Sequence, residues 1–192
     1  MKFSPVAVSL ALALAIPSLP ASAQRPDPQA TIAAQRTAMQ SLAMLDGQWR
    51  GPASMTMPDG SVRKFTQTER IGSLLDGSIR LIEGRSYDAA GNTVFNAFAV
   101  VSYDPAAKRY TMHSHAQGMV GDFTLTPTAD GFQWEIPAGP ATIRYTAVVK
   151  DGHFDETGER IVAGQPPVTF FSMHLRRIGD STWPGSGAIA PR

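Results

Sequence analysis

Short segments rich in β-branched and aromatic residues alternate with turn signals along most of the chain after Gly47. Roughly ten such segments can be recognised, each with the length of a strand. They span residues 48–56, 62–71, 78–87, 93–103, 109–117, 121–126, 132–136, 141–149, 153–161 and 169–178. Asp-Gly pairs such as Asp130-Gly131 separate several of them and suit tight hairpins, because both positions tolerate positive φ.

The spacing of these segments predicts an antiparallel sheet. No stretch between them is long enough for the helical crossover that parallel strands need. Closure into a barrel would remove the exposed edges of so many consecutive strands, whereas a sandwich would need long crossovers that the short loops do not offer. The pattern therefore predicts an all-β fold: a single closed, antiparallel, up-and-down β-barrel of about ten strands with one N-terminal α-helix.

The helix is predicted to run from Asp27 to about Met44. Asp27 suits the N-cap, and Pro28 suits the first helical position because its missing N–H would be unpaired there in any case. Ile32, Met39 and Leu42 can share one apolar face. Asp46-Gly47 is predicted to end the segment before the first strand.

Residues 1–23 have the features of a signal peptide. Lys2 precedes the apolar run 6–16, which is too short to span a bilayer, and Ala21-Ser22-Ala23 is a typical cleavage site. We expect an exported protein, in the periplasm or else secreted. The expected organisation is a signal peptide (1–23), a linker and helix (24–44), a lipocalin-like barrel (45–179) and a flexible tail (180–192).

Charge and composition narrow the function classes. The chain has 17 basic and 16 acidic side chains and no cysteine, so we expect neither a nucleic-acid footprint nor a disulfide. No other segment is apolar enough to predict integral membrane association. Phosphate-binding loops and zinc-binding motifs are not found in the sequence, and no cofactor is predicted.

Three stretches carry a resemblance to a known family: residues 45–51 with Gly47-x-Trp49, residues 71–77, and Met112 followed by Gly118 and Gly121. Together they resemble the DUF1579-type family of bacterial lipocalin-like (calycin-like) proteins, whose function is unsettled. The resemblance implies that Trp49 closes the base of the barrel under an arginine of the last strand, Arg176 or Arg177. We assign this role to Arg176, through cation–π stacking.

Two histidines on one strand suggest an alternative function. His113 and His115 are two residues apart and therefore face the same side of a strand. With His174 on the last strand they could bind haem or a metal ion. The opposite face, with Tyr110, Met112, Ser114 and Ala116, is the more apolar one, which predicts that the histidines point outward.

The leading hypothesis is a barrel that binds a small hydrophobic or amphipathic ligand in its interior. The strand 78–87 alternates apolar and charged residues on the face that includes Glu83 and Arg85, which suggests a lining that is polar at the mouth. A cavity enzyme that uses a carboxylate–histidine pair is a further alternative. The predicted ligand-binding residues are Glu83, Arg85, Phe98, Val100, Tyr110, Met112, Phe123, Trp134, Arg144, Tyr145, Phe170 and His174.

Overall fold

The computed structural model describes residues 27–181. A helix, α1, spans Pro28–Gln40, and a single 3-10 turn spans Ala43–Leu45. Ten strands follow: β1 (Gly47–Thr56), β2 (Val62–Leu74), β3 (Ile79–Tyr87), β4 (Thr93–Asp104), β5 (Arg109–Ala116), β6 (Met119–Thr128), β7 (Gly131–Ala138), β8 (Ala141–Lys150), β9 (His153–Val162) and β10 (Val168–Gly179).

The strands form one closed barrel in which each strand pairs antiparallel with its neighbours in sequence. Pairing of β1 with β10, from Gln48↔Gly179 to Met55↔Phe171, completes the ring. The predicted all-β barrel of ten strands with one N-terminal helix is therefore confirmed. Among the described residues, no helix is both long and apolar enough to cross a membrane.

Helix α1 begins as the sequence predicts and ends earlier. The Asp27 side chain accepts a hydrogen bond from the Gln29 N–H at 3.0 Å, and Pro28 follows it at the first helical position. The α-helix ends at Gln40 rather than near Met44. The chain turns there, so that Leu42 and Leu45 point into the barrel end, where both are fully buried.

The helix and the 3-10 turn close one end of the barrel, which we call the base. Trp49 lies at this base with only 1% of its surface exposed. Its indole N–H donates to the Leu45 carbonyl at 2.9 Å, and its ring contacts Phe154 edge-on at 5.7 Å between centroids. The other fully buried apolar side chains of this region are Met39, Leu42, Ile71, Val101 and Leu175.

One buried ion pair fastens the helical segment to the barrel. The Arg80 guanidinium donates to both carboxylate oxygens of Asp46, at 2.7 and 2.8 Å, and to the Met39 carbonyl at 2.7 Å. The Arg80 side chain is 4% exposed and that of Asp46 is 37% exposed. The pair therefore ties β3 to the end of α1 and to the residue before β1.

Replacing this guanidinium should loosen the helix. We expect Arg80→Met to lower the free energy of unfolding by about 2 kcal/mol, because a charged hydrogen-bonding group is lost while Asp46 can still turn to solvent. Urea denaturation measures the change. Lys64→Met, on the exposed part of β2, is the matched control; equal stability of the two variants would contradict the anchoring role.

Candidate ligand-binding lumen

The strand register decides which residues face the barrel interior, since paired residues in neighbouring strands share one face of the sheet. Trp49 points inward and pairs with Glu69. The inward face of β2 therefore carries Phe65, Gln67, Glu69 and Ile71. Inward residues near the base are mostly buried, whereas several nearer the opposite end, among them Phe65 and Phe171, keep partial solvent contact. The interior is therefore packed at the base and accessible from the other end, which we call the mouth.

An aromatic strip runs around the accessible half of the lumen. Trp134 and Tyr145 are stacked with centroids 4.5 Å apart and ring planes 10° from parallel. Phe123 contacts the other edge of Trp134 at 5.3 Å, and Phe171 contacts Tyr145 at 6.0 Å. Phe65 extends the strip by stacking on Phe171 at 6.4 Å. These rings offer a broad apolar surface to a molecule in the lumen.

Two carboxyl groups, from Glu69 on β2 and Glu156 on β9, face the same interior. Glu156 accepts a hydrogen bond from the Trp134 indole N–H at 3.3 Å. Glu69 accepts one from the Gln67 side-chain amide at 2.7 Å, and the Ser86 hydroxyl donates in turn to Gln67. Within residues 27–181 neither carboxyl has a cationic partner.

Burial in the barrel shifts the protonation of both groups. It raises the pKa of Glu69 from 4.5 to about 8, although the Gln67 hydrogen bond opposes the shift and the negative charge of Glu156 adds to it. Burial also raises the pKa of Glu156 from 4.5 to about 7. Near neutral pH the lumen therefore contains carboxyl groups that can donate as well as accept hydrogen bonds.

Glycines on the inward face make room for this arrangement. A Cβ on Gly84 would lie 2.8 Å from a carboxylate oxygen of Glu69, so the carboxyl group lies directly over this position. A Cβ on Gly158 would lie 2.8 Å from the Tyr145 ring and 3.1 Å from that of Phe170. Because Gly84 and Gly158 carry no side chains, the Glu69 carboxyl group and the Tyr145 ring of the aromatic strip can occupy these places.

Six of the twelve predicted ligand-binding residues point inward: Tyr110, Met112, Phe123, Trp134, Tyr145 and Phe170. Tyr110 lies near the base, where its hydroxyl donates to the Ala38 carbonyl at 2.9 Å, and Met112 is buried in the core. Trp134, Tyr145 and Phe170 belong to the accessible half. Phe123 lies beside them.

Six others lie on the outer face, so the prediction that they line the interior is corrected: Glu83, Arg85, Phe98, Val100, Arg144 and His174. Glu83 pairs with Phe98 across β3 and β4, on the face opposite Ile82 and Gly84. Arg85 bonds Glu83, Arg144 bonds Glu135 at 2.7 Å, and His174 bonds Asp155 at 2.9 Å, all on the outer wall. Solvated ion pairs explain these charges without a ligand.

The outer wall also holds a groove of about 420 Å³ at the mouth end, lined in part by Glu83, Arg85, Phe98 and His115. His113 and His115 lie on this wall with rings 5.0 Å apart, which agrees with the outward direction predicted for them. His113 bonds Asp122 at 2.6 Å. Among the described residues no three His, Asp or Glu side chains converge as metal ligands.

The prediction that Arg176 is the arginine nearest Trp49 is also corrected. Arg177, not Arg176, pairs with Trp49, while Arg176 pairs with Arg50 on the outer face. The Arg177 side chain covers Gly47, where a Cβ would lie 2.9 Å from its Nε atom. It donates to the Asp46 carbonyl at 3.3 Å and to Asp180 at 2.6 Å. The unbroken register from Met55↔Phe171 to Trp49↔Arg177 produces this choice between adjacent arginines.

The lumen residues that the sequence hypothesis does not include are Phe65, Gln67, Glu69 and Phe171. A signal for the first three exists in the alternation Phe65-x-Gln67-x-Glu69-x-Ile71, which places an acid on a face that ends in buried Ile71. Glu156 is recognisable in the sequence only as a charge within a strand. Nothing in the sequence indicates that it faces the same interior as Glu69, from which two strands separate it.

These features define a calycin-like β-barrel with a partly accessible lumen. No family model matches the chain, and no curated protein matches it. Several solved structures share the fold, among them the following two. Rv2717c from M. tuberculosis aligns with a TM-score of 0.55 at 13% identity, covering 73% of this chain and 97% of its own. The S-type phycobiliprotein lyase CPES from Guillardia theta aligns with a TM-score of 0.50 at 10% identity, covering 81% and 100%.

Proposed function

We propose that the protein binds a small amphipathic molecule in its lumen, with the apolar or aromatic part of the molecule against the aromatic strip. The observation that carries this proposal is the placement of Trp134, Tyr145 and Phe171 on the inner wall with solvent access from the mouth. A structural core would have these rings fully buried, as Trp49 is. Partly accessible aromatic surface inside a barrel is typical of a ligand site.

The two carboxyl groups define the polar part of the ligand. Glu69 and Glu156 each accept a hydrogen bond from a protein donor, and within residues 27–181 neither forms a salt bridge. A ligand that carries an N–H or O–H donor would satisfy their remaining acceptor capacity. An amine is the most favourable such group, since a positive charge near Trp134 would also gain cation–π energy.

Export and family membership are part of the same proposal. The signal-peptide pattern at residues 1–23, which lies outside the described residues, supports a periplasmic protein. The motifs at Gly47-x-Trp49 and in residues 71–77 support membership of the DUF1579-type family. A binding function for an exported barrel requires no cofactor, so ligand capture is the simplest activity that the lumen can perform.

Binding of N-phenyl-1-naphthylamine, an uncharged aromatic molecule with one N–H donor whose fluorescence rises in apolar surroundings, tests the apolar part of the proposal. We expect saturable binding to the wild-type protein. Phe171→Ala should weaken it about tenfold, or roughly 1.4 kcal/mol, because the aromatic strip loses a central ring. Fluorescence titration measures both dissociation constants.

Phe98→Ala is the matched control, since it removes the same side chain from the outer-wall groove. We expect this variant to bind the probe with the wild-type dissociation constant. If Phe98→Ala weakened binding and Phe171→Ala did not, the probe would occupy the outer groove and the lumen proposal would fail.

A further inference from the structure

The barrel wall is split at one seam. β6 and β7 are joined by four residue pairs at the base end, from Leu125↔Trp134 to Thr128↔Gly131. Pairing on the other side of β7 continues to the mouth, from Gly131↔Val148 to Ala138↔Ala141. Continued register would place Thr124 opposite Glu135, yet these residues do not pair. The two strands therefore diverge from Trp134 toward the mouth.

A cleft of about 350 Å³ lies along this split. Its lining combines residues of both faces: Phe123 and Trp134 from the lumen, and Thr124, Gln133, Glu135 and Thr142 from the outer surface. Since Phe123 and Trp134 also belong to the aromatic strip, the cleft is continuous with the proposed ligand surface.

The polar side chains of the cleft are suited to an uncharged hydrogen-bonding group. Its two acids already have partners, because Glu135 is bonded to Arg144 at 2.7 Å and Asp122 to His113 at 2.6 Å. What remains is a set of hydroxyl groups from Thr124, Thr126 and Thr142, together with the Gln133 amide, whose N–H donates to the Thr146 hydroxyl at 3.1 Å. Hydroxyls and amides both donate and accept, so they match a hydroxyl-bearing partner without a charge preference.

We propose that the cleft between β6 and β7 is a second subsite of the lumen, which holds the neutral, hydroxyl-bearing end of an elongated amphipathic ligand whose apolar part lies against Trp134. The inference rests on the proposed function of the lumen and specifies it further. It predicts that molecules long enough to reach from the aromatic strip through the wall gain affinity from the cleft, whereas compact aromatic molecules do not.

Cross-linking of the cleft tests this prediction. The chain has no cysteine, so Thr124→Cys/Glu135→Cys introduces the only two thiols, and a short bis-maleimide then bridges the opening from outside. The probes are N-phenyl-1-naphthylamine as the compact molecule and octyl glucoside, below its micelle concentration, as the elongated one. Displacement of the fluorescent amine measures the affinity for the glucoside before and after linking.

Linking should weaken the binding of octyl glucoside about tenfold and leave the binding of the compact amine unchanged. Ser102→Cys/Thr111→Cys, a paired position on the outer face of β4 and β5, is the matched control, and its linking should alter neither affinity. Unchanged glucoside affinity after linking 124 to 135 would overturn the cleft subsite. Failure of the amine to bind the unlinked wild-type protein would instead overturn the lumen proposal.

Discussion

Trp49→Ala should lower the free energy of unfolding by roughly 3–5 kcal/mol, the range for removal of a fully buried large aromatic side chain. The indole fills the base of the barrel, is 1% exposed, and contacts Phe154 while its N–H is bonded to the Leu45 carbonyl. Truncation leaves a cavity and an unpaired carbonyl where the helical segment meets the strands. For a domain of this size the melting temperature should fall by about 10 °C.

Trp134→Ala is the control for this prediction, because it removes the same side chain from the partly solvent-exposed lumen. The loss should be less than half of that for Trp49→Ala, since less apolar surface returns to water. Thermal unfolding followed by circular dichroism measures both variants. A Trp49→Ala protein with the wild-type melting temperature would contradict the closed base.

Replacement of the two lumen acids should stabilise the protein at alkaline pH. Burial raises the pKa of Glu69 to about 8 and that of Glu156 to about 7, so the folded barrel binds more protons than the unfolded chain between about pH 4.5 and pH 8. Stability must then fall as the pH rises through this window and level off above it. The stability that the protonated acids contribute to the folded barrel is fully present below about pH 4.5.

Glu69→Gln/Glu156→Gln removes the ionisation and keeps an acceptor for the Gln67 and Trp134 donors. At pH 9 we expect the double variant to be more stable than the wild type by on the order of 2–4 kcal/mol, with little difference at pH 4. Urea denaturation across this pH range measures the difference. Glu83→Gln, on the outer wall, is the control. A pH-independent difference would mean that the lumen does not desolvate these acids.

The architecture was predictable because period-two alternation and turn chemistry are local properties of the sequence. Asp-Gly turns and the lack of crossover helices determine an antiparallel meander. On β5 even the inward face could be predicted, since Tyr110, Met112 and Ser114 contrast with His113 and His115 on the other side. The orientation of such a strand follows from polarity alone.

The placement of both acids in one interior was not predictable from local pattern, although the alternation around Glu69 gives a signal for one of them. On β3 both faces mix apolar and polar residues, with Leu81 and Glu83 on one and Ile82 and Ser86 on the other. The closed barrel determines which of these two faces points inward. Gly84 lies on the inward face, where it leaves the space that the Glu69 carboxyl group fills. The placement of Glu69 and Glu156 in one interior depends on a β1–β10 pairing between residues more than a hundred positions apart.

Native mass spectrometry of the protein after exposure to an extract of small molecules tests the ligand-binding lumen most directly. A discrete bound mass should be retained by the wild type and by Phe98→Ala, be lost or much reduced in Phe171→Ala, and be displaced by N-phenyl-1-naphthylamine. A wild-type protein that carries no bound mass and does not bind the fluorescent amine would contradict the account, and the lumen would then be only part of the folded scaffold.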